Sequence, residues 1–324
     1  MVTASGEPVT ASEDDHRDLL WAVRGGGGGN FGVVTQFLFD LAPRRSNVQS
    51  FTLIWDDLKS AVPVLREWWR NFPNTDDRLT TFCRVSVFGS GPIPNDGPVL
   101  IGGNFLGEWS DLADLLKHLL PTTFGNAHFV APSRPGDIHP DYQPGPPVPA
   151  LRALHPGVPE EDLSETCAGI PHRHKVSSSF PKGTAVDEKA IAAVVQKIGK
   201  TSWDARARLY LSLHCMGGAI AKRSPQFSAF AFRDKPFILQ YQAWWAGGDA
   251  ALEKHCCGWI SDFRKEMAPH TEFAFINFPD ASLAQDRKQL LRYYYGGNLE
   301  TLIEVKRRYD PDDLFSFGLS IPTK

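Results

Sequence analysis

Apolar and polar positions alternate along this chain with two periods, and the switches between them lay out a series of short elements. Period-two runs over residues 47–57, 79–88, 99–106, 208–215 and 237–245 predict strands. Apolar residues three and four apart over 58–72, 111–120, 187–198, 250–267 and 284–291 predict helices. In the first of these, Val62, Leu65, Trp68, Trp69 and Phe72 form the buried stripe, so both tryptophans read as core. Two more runs, 227–232 and 273–280, are expected to be strands, the former paired with 237–245 across a turn at Arg233-Asp234-Lys235-Pro236. The strand-helix-strand-strand-helix order is that of an α+β protein.

The two ends carry their own patterns. Residues 2–10 read as two short strands about a Gly6-Glu7 turn. Ser12 is placed to cap a helix whose first turn holds Glu13, Asp14 and Asp15 and whose buried stripe is Leu19, Leu20 and Val23. Five glycines, Gly25 to Gly29, follow, and then a predicted strand over 31–41 that Pro43 stops. At the other end Leu299, Leu302, Ile303 and Val305 give a helix an apolar side, Glu304 and Arg308 form an i,i+4 pair, and Asp310-Pro311 ends it. Tyr293, Tyr294 and Tyr295 cluster just before two glycines.

The glycine run contains a formal GxGxxG at Gly27, Gly29 and Gly32. A dinucleotide fingerprint needs a strand before the glycines and a helix after them, so that pyrophosphate meets the helix N-terminus. Here the helix comes first, which argues against that fold. Two readings stay open: a structural tight turn, or a glycine loop packed against a bound cofactor.

Composition narrows the field. With 324 residues, 42% hydrophobic and 22% charged, the chain is long enough for two domains. A net charge of -3 gives no electrostatic reason for nucleic acid or an anionic membrane as partner. No signal-like segment opens it and no run approaches the roughly 18 apolar residues of a membrane span, so the expected location is cytoplasmic. The five cysteines, Cys83, Cys167, Cys215, Cys256 and Cys257, have no zinc or framework spacing, and His172 with His174 lack a third ligand, so no metal is expected. Nine prolines over 131–159 exclude regular ladders there and predict a surface excursion or lid. His214, at the end of the 208–215 strand, is a lone histidine open to a structural or a catalytic reading. The aromatic run QYQAWW suggests a sheet face lining a pocket for a large, partly apolar small molecule.

Two stretches together carry a resemblance. RGGGGGNFGVVT (24–35) and YYGGNLETLIEVKRRYDPDDLFSFGLSIP (294–322) look like paired signatures of the berberine-bridge-enzyme-like oxidases, in the vanillyl-alcohol-oxidase class of FAD-linked proteins. SSSF, LHCMGGAI, SAFAFRD, FILQYQAWW and FINFPD, in that order between them, are similar to further landmarks of the family. The resemblance implies a large antiparallel substrate-domain sheet covered by helices over 45–280. It also implies a partial α+β flavin-type subdomain made from both chain ends, 1–44 and 281–324. By carry-over, Gly27, Gly28, Gly29 and Asn30 would lie along FAD with Asn298 near its ring. Tyr295, Tyr294 and His214 are the candidate catalytic groups, and Gln240, Trp244, Phe275 and Phe278 would line the substrate pocket. The implied reaction is oxidation of a secondary metabolite or sugar-like alcohol, the flavin accepting the hydride.

Two departures accompany the match. The family's flavin-anchoring segment, with its phosphate loop and its covalently attached histidine and cysteine, would precede Val2 and is not in this sequence, so FAD is implied by the family yet its binding to these residues alone is open. Where many relatives read YxNY, this chain reads Phe275-Ile276-Asn277-Phe278, without either phenol. Both departures support the alternative of a flavin-independent cyclase, isomerase or lyase, and a non-catalytic binding protein is a third reading. Oligomeric state is not encoded in any pattern read here.

Overall fold

The computed structural model describes residues 1–41, 47–87, 97–130, 173–204, 206–245, 248–284 and 286–324. Pro43, the turn-rich stretch 89–96, the proline-rich run, Cys167 and His172 lie outside the described residues. Eight strands form one sheet: β1 (Val48–Trp55), β2 (Leu79–Ser86), β3 (Val99–Leu106), β4 (His128–Val130), β5 (Arg173–Pro181), β6 (Ala207–Cys215), β7 (Phe237–Trp245) and β8 (Thr271–Glu272). Their order is β4-β1-β3-β2-β6-β7-β5-β8, and every pairing is antiparallel.

Register decides what each face carries. Leu209, Leu211 and Leu213 of β6 stand opposite Ala243, Tyr241 and Leu239 of β7, and Cys83 and Val85 of β2 stand opposite Leu213 and Leu211. This apolar face is covered by α2 (Ala61–Asn71), α3 (Trp109–Leu119), α4 (Glu188–Lys200) and α5 (Ala250–Met267), which share one buried cluster with it. Trp68 and Trp69 of α2 meet Phe237 edge-on at 5.3 and 4.8 Å. Each large apolar side chain buried this way contributes on the order of 1.5–3 kcal/mol relative to exposure. Asp187 and Asp249 cap α4 and α5 through their carboxylates.

A second buried cluster joins the chain ends. Leu19 and Ala22 of α1 (Arg17–Val23) and Phe31 pack with Leu290, Leu291, Tyr294 and Tyr295 of α6 (Arg287–Tyr295) and with Leu299, Leu302 and Val305 of α7 (Leu299–Tyr309). Ala229 and Ala274, from between the ends, also belong to it.

Several expected elements differ. Of the strand expected over 31–41, only Val33 bridges, to Val2; Phe37, Leu38, Phe39 and Leu41 are 69–97% exposed, because no neighbouring backbone among the described residues pairs with them. Residues 228–232 pack irregularly against the glycine run, with Ala229 N–H bonded to Trp21 O instead of to a strand. From Phe273, whose φ is 53°, the chain leaves the sheet, and a Phe278–Phe275 turn replaces the strand expected there. Ser12 caps a turn at Asp14 and Asp15 rather than α1, and its predicted buried stripe is carried by Leu19 and Ala22. Arg308 reaches Asp18 at 2.7 Å, tying α7 to α1.

Candidate functional site

The glycine turn is held by a buried clasp. Positive φ at Gly25, Gly27 and Gly29 sets its path, and at Gly25 a Cβ would stand 2.4 Å from the backbone nitrogen of Phe230, so no larger residue fits. The Asn30 amide donates to the carbonyls of Gly26, Gly27 and Gly28 at 2.9, 3.4 and 3.3 Å, while its oxygen accepts from Ile321 N–H at 2.8 Å. Lys306, fully buried, donates to the carbonyls of Asn30 and Phe315 and pairs with Asp310 and with Asp313. Asp310 in turn accepts from Leu314 and Phe315 N–H. One buried ammonium thus fixes the glycine turn to the C-terminal tail. Removing one partner of such a pair costs roughly 3–5 kcal/mol.

The tyrosines belong to this clasp. Tyr295 is wholly buried and its hydroxyl donates to Gly26 O at 2.9 Å; burial raises its pKa far above the ordinary phenol value. The Tyr294 hydroxyl accepts from Asp280 N–H at 2.6 Å and lies 3.1 Å from Asp280 O, and burial pushes its pKa up to about 12. Both phenols are engaged by backbone and held protonated, the state of a latch rather than of a base. Asn298, expected beside a flavin ring, instead donates toward the carbonyls of Pro225, Ser228 and Ala229. Gly28 and Gly29 are exposed, and nothing lies within 4 Å of the point where a Gly28 Cβ would stand.

The opposite chemistry appears on the sheet face away from α2–α5. His214 and Gln240, on neighbouring strands, bond at 2.9 Å. Gln242 accepts from Tyr210 and from Trp244 Nε1, both at 3.0 Å, and His174 stacks on Trp244 with centroids 4.4 Å apart. Phe82 stacks on His214, and Arg84 bonds Ser212. Arg84 and Tyr210 were not singled out from sequence, their one signal being polarity at alternate positions of half-buried strands; His174 was weighed only as a metal ligand, and Gln242 only as part of the QYQAWW run. A cavity of about 910 Å³ opens at the β5 edge, lined by Gln240, Gln242, Trp244, His174 and Phe278 among others. Phe275 packs between Phe230 and Phe278, so two expected pocket residues lie in one aromatic cluster.

Electrostatics distinguish two titratable centres. Burial lowers the His214 pKa below its ordinary 6.5, outweighing the Gln240 bond, and the charge of Arg84 acts in the same direction. The imidazole is therefore neutral at neutral pH and able to accept a proton. At the cavity edge, burial acts to raise the Asp280 pKa, but the bond from the Ser282 hydroxyl and the Lys175 ammonium at 3.1 Å hold it below the usual range. Among the described residues no group of histidine, cysteine or acidic side chains could hold a metal, and no helix is long and apolar enough to cross a membrane.

Comparison with known proteins gives this geometry a context. Residues 274–322 match the family model described as Berberine and berberine like. Over 325 residues the chain is 29% identical to YvdP of Bacillus subtilis (strain 168), an uncharacterized FAD-linked oxidoreductase, with 99% of this chain and 64% of that protein covered. It is 25% identical over 338 residues to the glucooligosaccharide oxidase of Sarocladium strictum, covering 99% and 62%. The fold matches that of Physcomitrella patens BBE-like 1 with a TM-score of 0.77 at 22% identity, over all of this chain and 64% of that one. The class to which these relatives point is that of oxidoreductases, YvdP being FAD-linked by name. Within it, the chain is similar to the berberine-bridge-enzyme-like proteins, in the matched residues 274–322 and in fold. It spans 64% of the length of YvdP and 62% of the glucooligosaccharide oxidase.

The exposed side of Gly28 fits the close approach of a flat cofactor, since nothing lies within 4 Å of where its Cβ would stand, while the Phe317 ring lies 3.4 Å from the corresponding point at Gly29.

Proposed function

We propose that this chain forms the substrate-binding side of an FAD-linked oxidase that acts on a hydroxyl-bearing small molecule, such as a sugar-like alcohol or a secondary metabolite. The observation that carries the reading is the His214–Gln240 pair on an aromatic and amide-lined sheet face, in a chain that also keeps an exposed, clasped glycine turn. FAD, when bound, supplies the hydride acceptor. Gly28 and Gly29 would line it, with Asn30, Lys306 and Tyr295 holding their backbone in place.

This chain's own share is binding and proton handling. Trp244 and Phe82 offer flat apolar faces to a ring, while Gln240, Gln242 and Tyr210 offer donors and acceptors to hydroxyls. The neutral His214 imidazole, oriented by Gln240, takes the hydroxyl proton as the adjacent carbon loses hydride. Tyr294 and Tyr295 fix backbone and do not take part in that transfer.

Flavin content and oxygen uptake over a panel of sugars and aryl alcohols test this. Turnover should require FAD, and His214→Ala should lower kcat by about 10²-fold or more with FAD content unchanged. Product formation without FAD or oxygen would instead establish a cyclase, isomerase or lyase, the reading favoured by Phe275 and Phe278 at the two phenol positions. Failure of every substrate with the flavin in place would leave a binding protein.

A further inference from the structure

The sheet face that bears His214 and Gln240 is read above as the substrate side; on that reading, its charges specify the substrate further. Register brings Arg84 opposite Ser212, Ser212 opposite Gln240, and Gln240 opposite Ser178, so one row crosses four strands. The same alternation assigns to this face Thr80, Phe82, Arg84 and Ser86 of β2, and Leu100, Gly102, Asn104 and Leu106 of β3. From β6 come Arg208, Tyr210, Ser212 and His214, from β7 Ile238, Gln240, Gln242 and Trp244, and from β5 His174, Val176, Ser178 and Phe180. None of these is Asp or Glu, although acidic residues outnumber basic ones in the chain, 37 to 34; beyond β5, Glu272 of β8 stands opposite Phe180 and is paired with Lys235 at 2.7 Å.

Arg84 flanks the His214–Gln240 pair on β2, two residues from the Phe82 that stands opposite His214. Its guanidinium carbon lies 4.5 Å from the Tyr210 ring centroid and 5.4 Å from that of Phe82, and its Nε bonds Ser212 at 3.3 Å. Aromatic rings and a hydroxyl therefore fix the fork, yet among the described residues no carboxylate lies within ion-pair distance of it. Arg66, Arg78, Arg173 and Arg206 each pair with a carboxylate, whereas Arg233 and Arg264 are held, like Arg84, by rings and by hydroxyl or carbonyl groups, but away from the His214–Gln240 row. Two positions along the same face, Ser86 is 7% exposed and its hydroxyl has no hydrogen-bond partner among the described residues. Such buried hydroxyls are few, Ser177 being the other among the described residues, and Ser86 is the one on this face. A preorganised guanidinium without a counter-charge is matched by a planar, singly charged oxyanion that takes two parallel N–H bonds. A phosphate dianion would call for more cations or a nest of backbone N–H groups.

We infer that Arg84 selects a substrate carrying a carboxylate beside its oxidisable hydroxyl, such as a sugar acid or a hydroxymethyl aryl acid, and that it is the specificity-determining residue of this face. The test is equilibrium binding to the purified chain by calorimetry at low and high salt. Matched pairs are glucuronate against glucose and 4-(hydroxymethyl)benzoate against benzyl alcohol, with glucose 6-phosphate as a further probe. Each carboxylate should bind about tenfold or more tighter than its neutral partner. The gap should narrow with salt, vanish in Arg84→Gln and return in part in Arg84→Lys, which separates loss of charge from loss of fold.

Equal binding within both pairs, no binding by either carboxylate, or a gap unchanged in Arg84→Gln would overturn the assignment. Tighter binding of glucose 6-phosphate than of glucuronate would overturn the choice of carboxylate. Because the readout is binding, an inactive chain that keeps the gap refutes the oxidase reading alone, and an active oxidase without it refutes this one alone.

Discussion

The two faces of the sheet are built from alternate residues of the same strands, and they do opposite things. On one side of β6 and β7, Leu209, Leu211, Leu213, Leu239 and Tyr241 lie 0–4% exposed under helices. On the other, Tyr210, Ser212, His214, Gln240 and Gln242 form cross-strand hydrogen bonds and meet aromatic rings. A one-residue slip would exchange the two sets, so the apolar face fixes the register in which the polar face is displayed. Stability and chemistry are thereby assigned to separate side chains on one backbone.

The comparison breaks first where stability is concentrated. Trp68→Ala should cost about 3–5 kcal/mol, because a fully buried ring that packs on Phe72 and Phe237 leaves a cavity. Trp244→Ala, on the opposite face, should cost about 1 kcal/mol or less in urea unfolding while weakening ligand binding. Equal destabilisation by the two would show that both faces belong to one core.

A smaller effect lies within the polar face itself. Gln240→Leu keeps side-chain volume but leaves His214 Nε2 without its partner in a largely buried setting. The expected loss is about 1–3 kcal/mol, the cost of an unsatisfied buried polar group. Tyr210 and Trp244, bonded to Gln242 instead, should keep their near-ultraviolet dichroism.

The covered face was legible because helices on a half-buried sheet demand unbroken alternation, and β2, β3, β6 and β7 show it in sequence. The same criterion misplaced 31–41, 227–232 and 273–280, where alternation serves contacts other than a ladder: Phe230 and Ile276 crowd the glycine turn, and Phe275 N–H bonds the Ser178 hydroxyl. The tyrosine run drew attention as phenols. Its spacing with Leu290 and Leu291 on one helix was the better guide, since all four are buried. Arg84 went unremarked because a charge at an outward strand position ordinarily means solvent, and only the absence of acidic neighbours across five strands gives it meaning. Lys306 was equally silent, as nothing local tells a buried lysine from an exposed one.

The least perturbing way to sharpen the contrast is to titrate it. His214 has a pKa below 6.5 in the folded chain because burial disfavours the imidazolium, whereas the unfolded chain keeps the ordinary value. From about pH 7.5 upward the residue is essentially neutral in both states and adds no pH dependence. As pH falls below that value the unfolded state takes up the proton first, so stability declines until pH passes the folded pKa, and then levels off. Thermal unfolding at pH 7.5 and 5.5 should therefore show a larger drop for the wild type than for His214→Gln. The imidazole proton resonance of His214 should titrate with a midpoint below 6.5. A midpoint above 6.5 would mean that the imidazolium is stabilised on this face, which is incompatible with a neutral proton acceptor beside the Arg84 guanidinium.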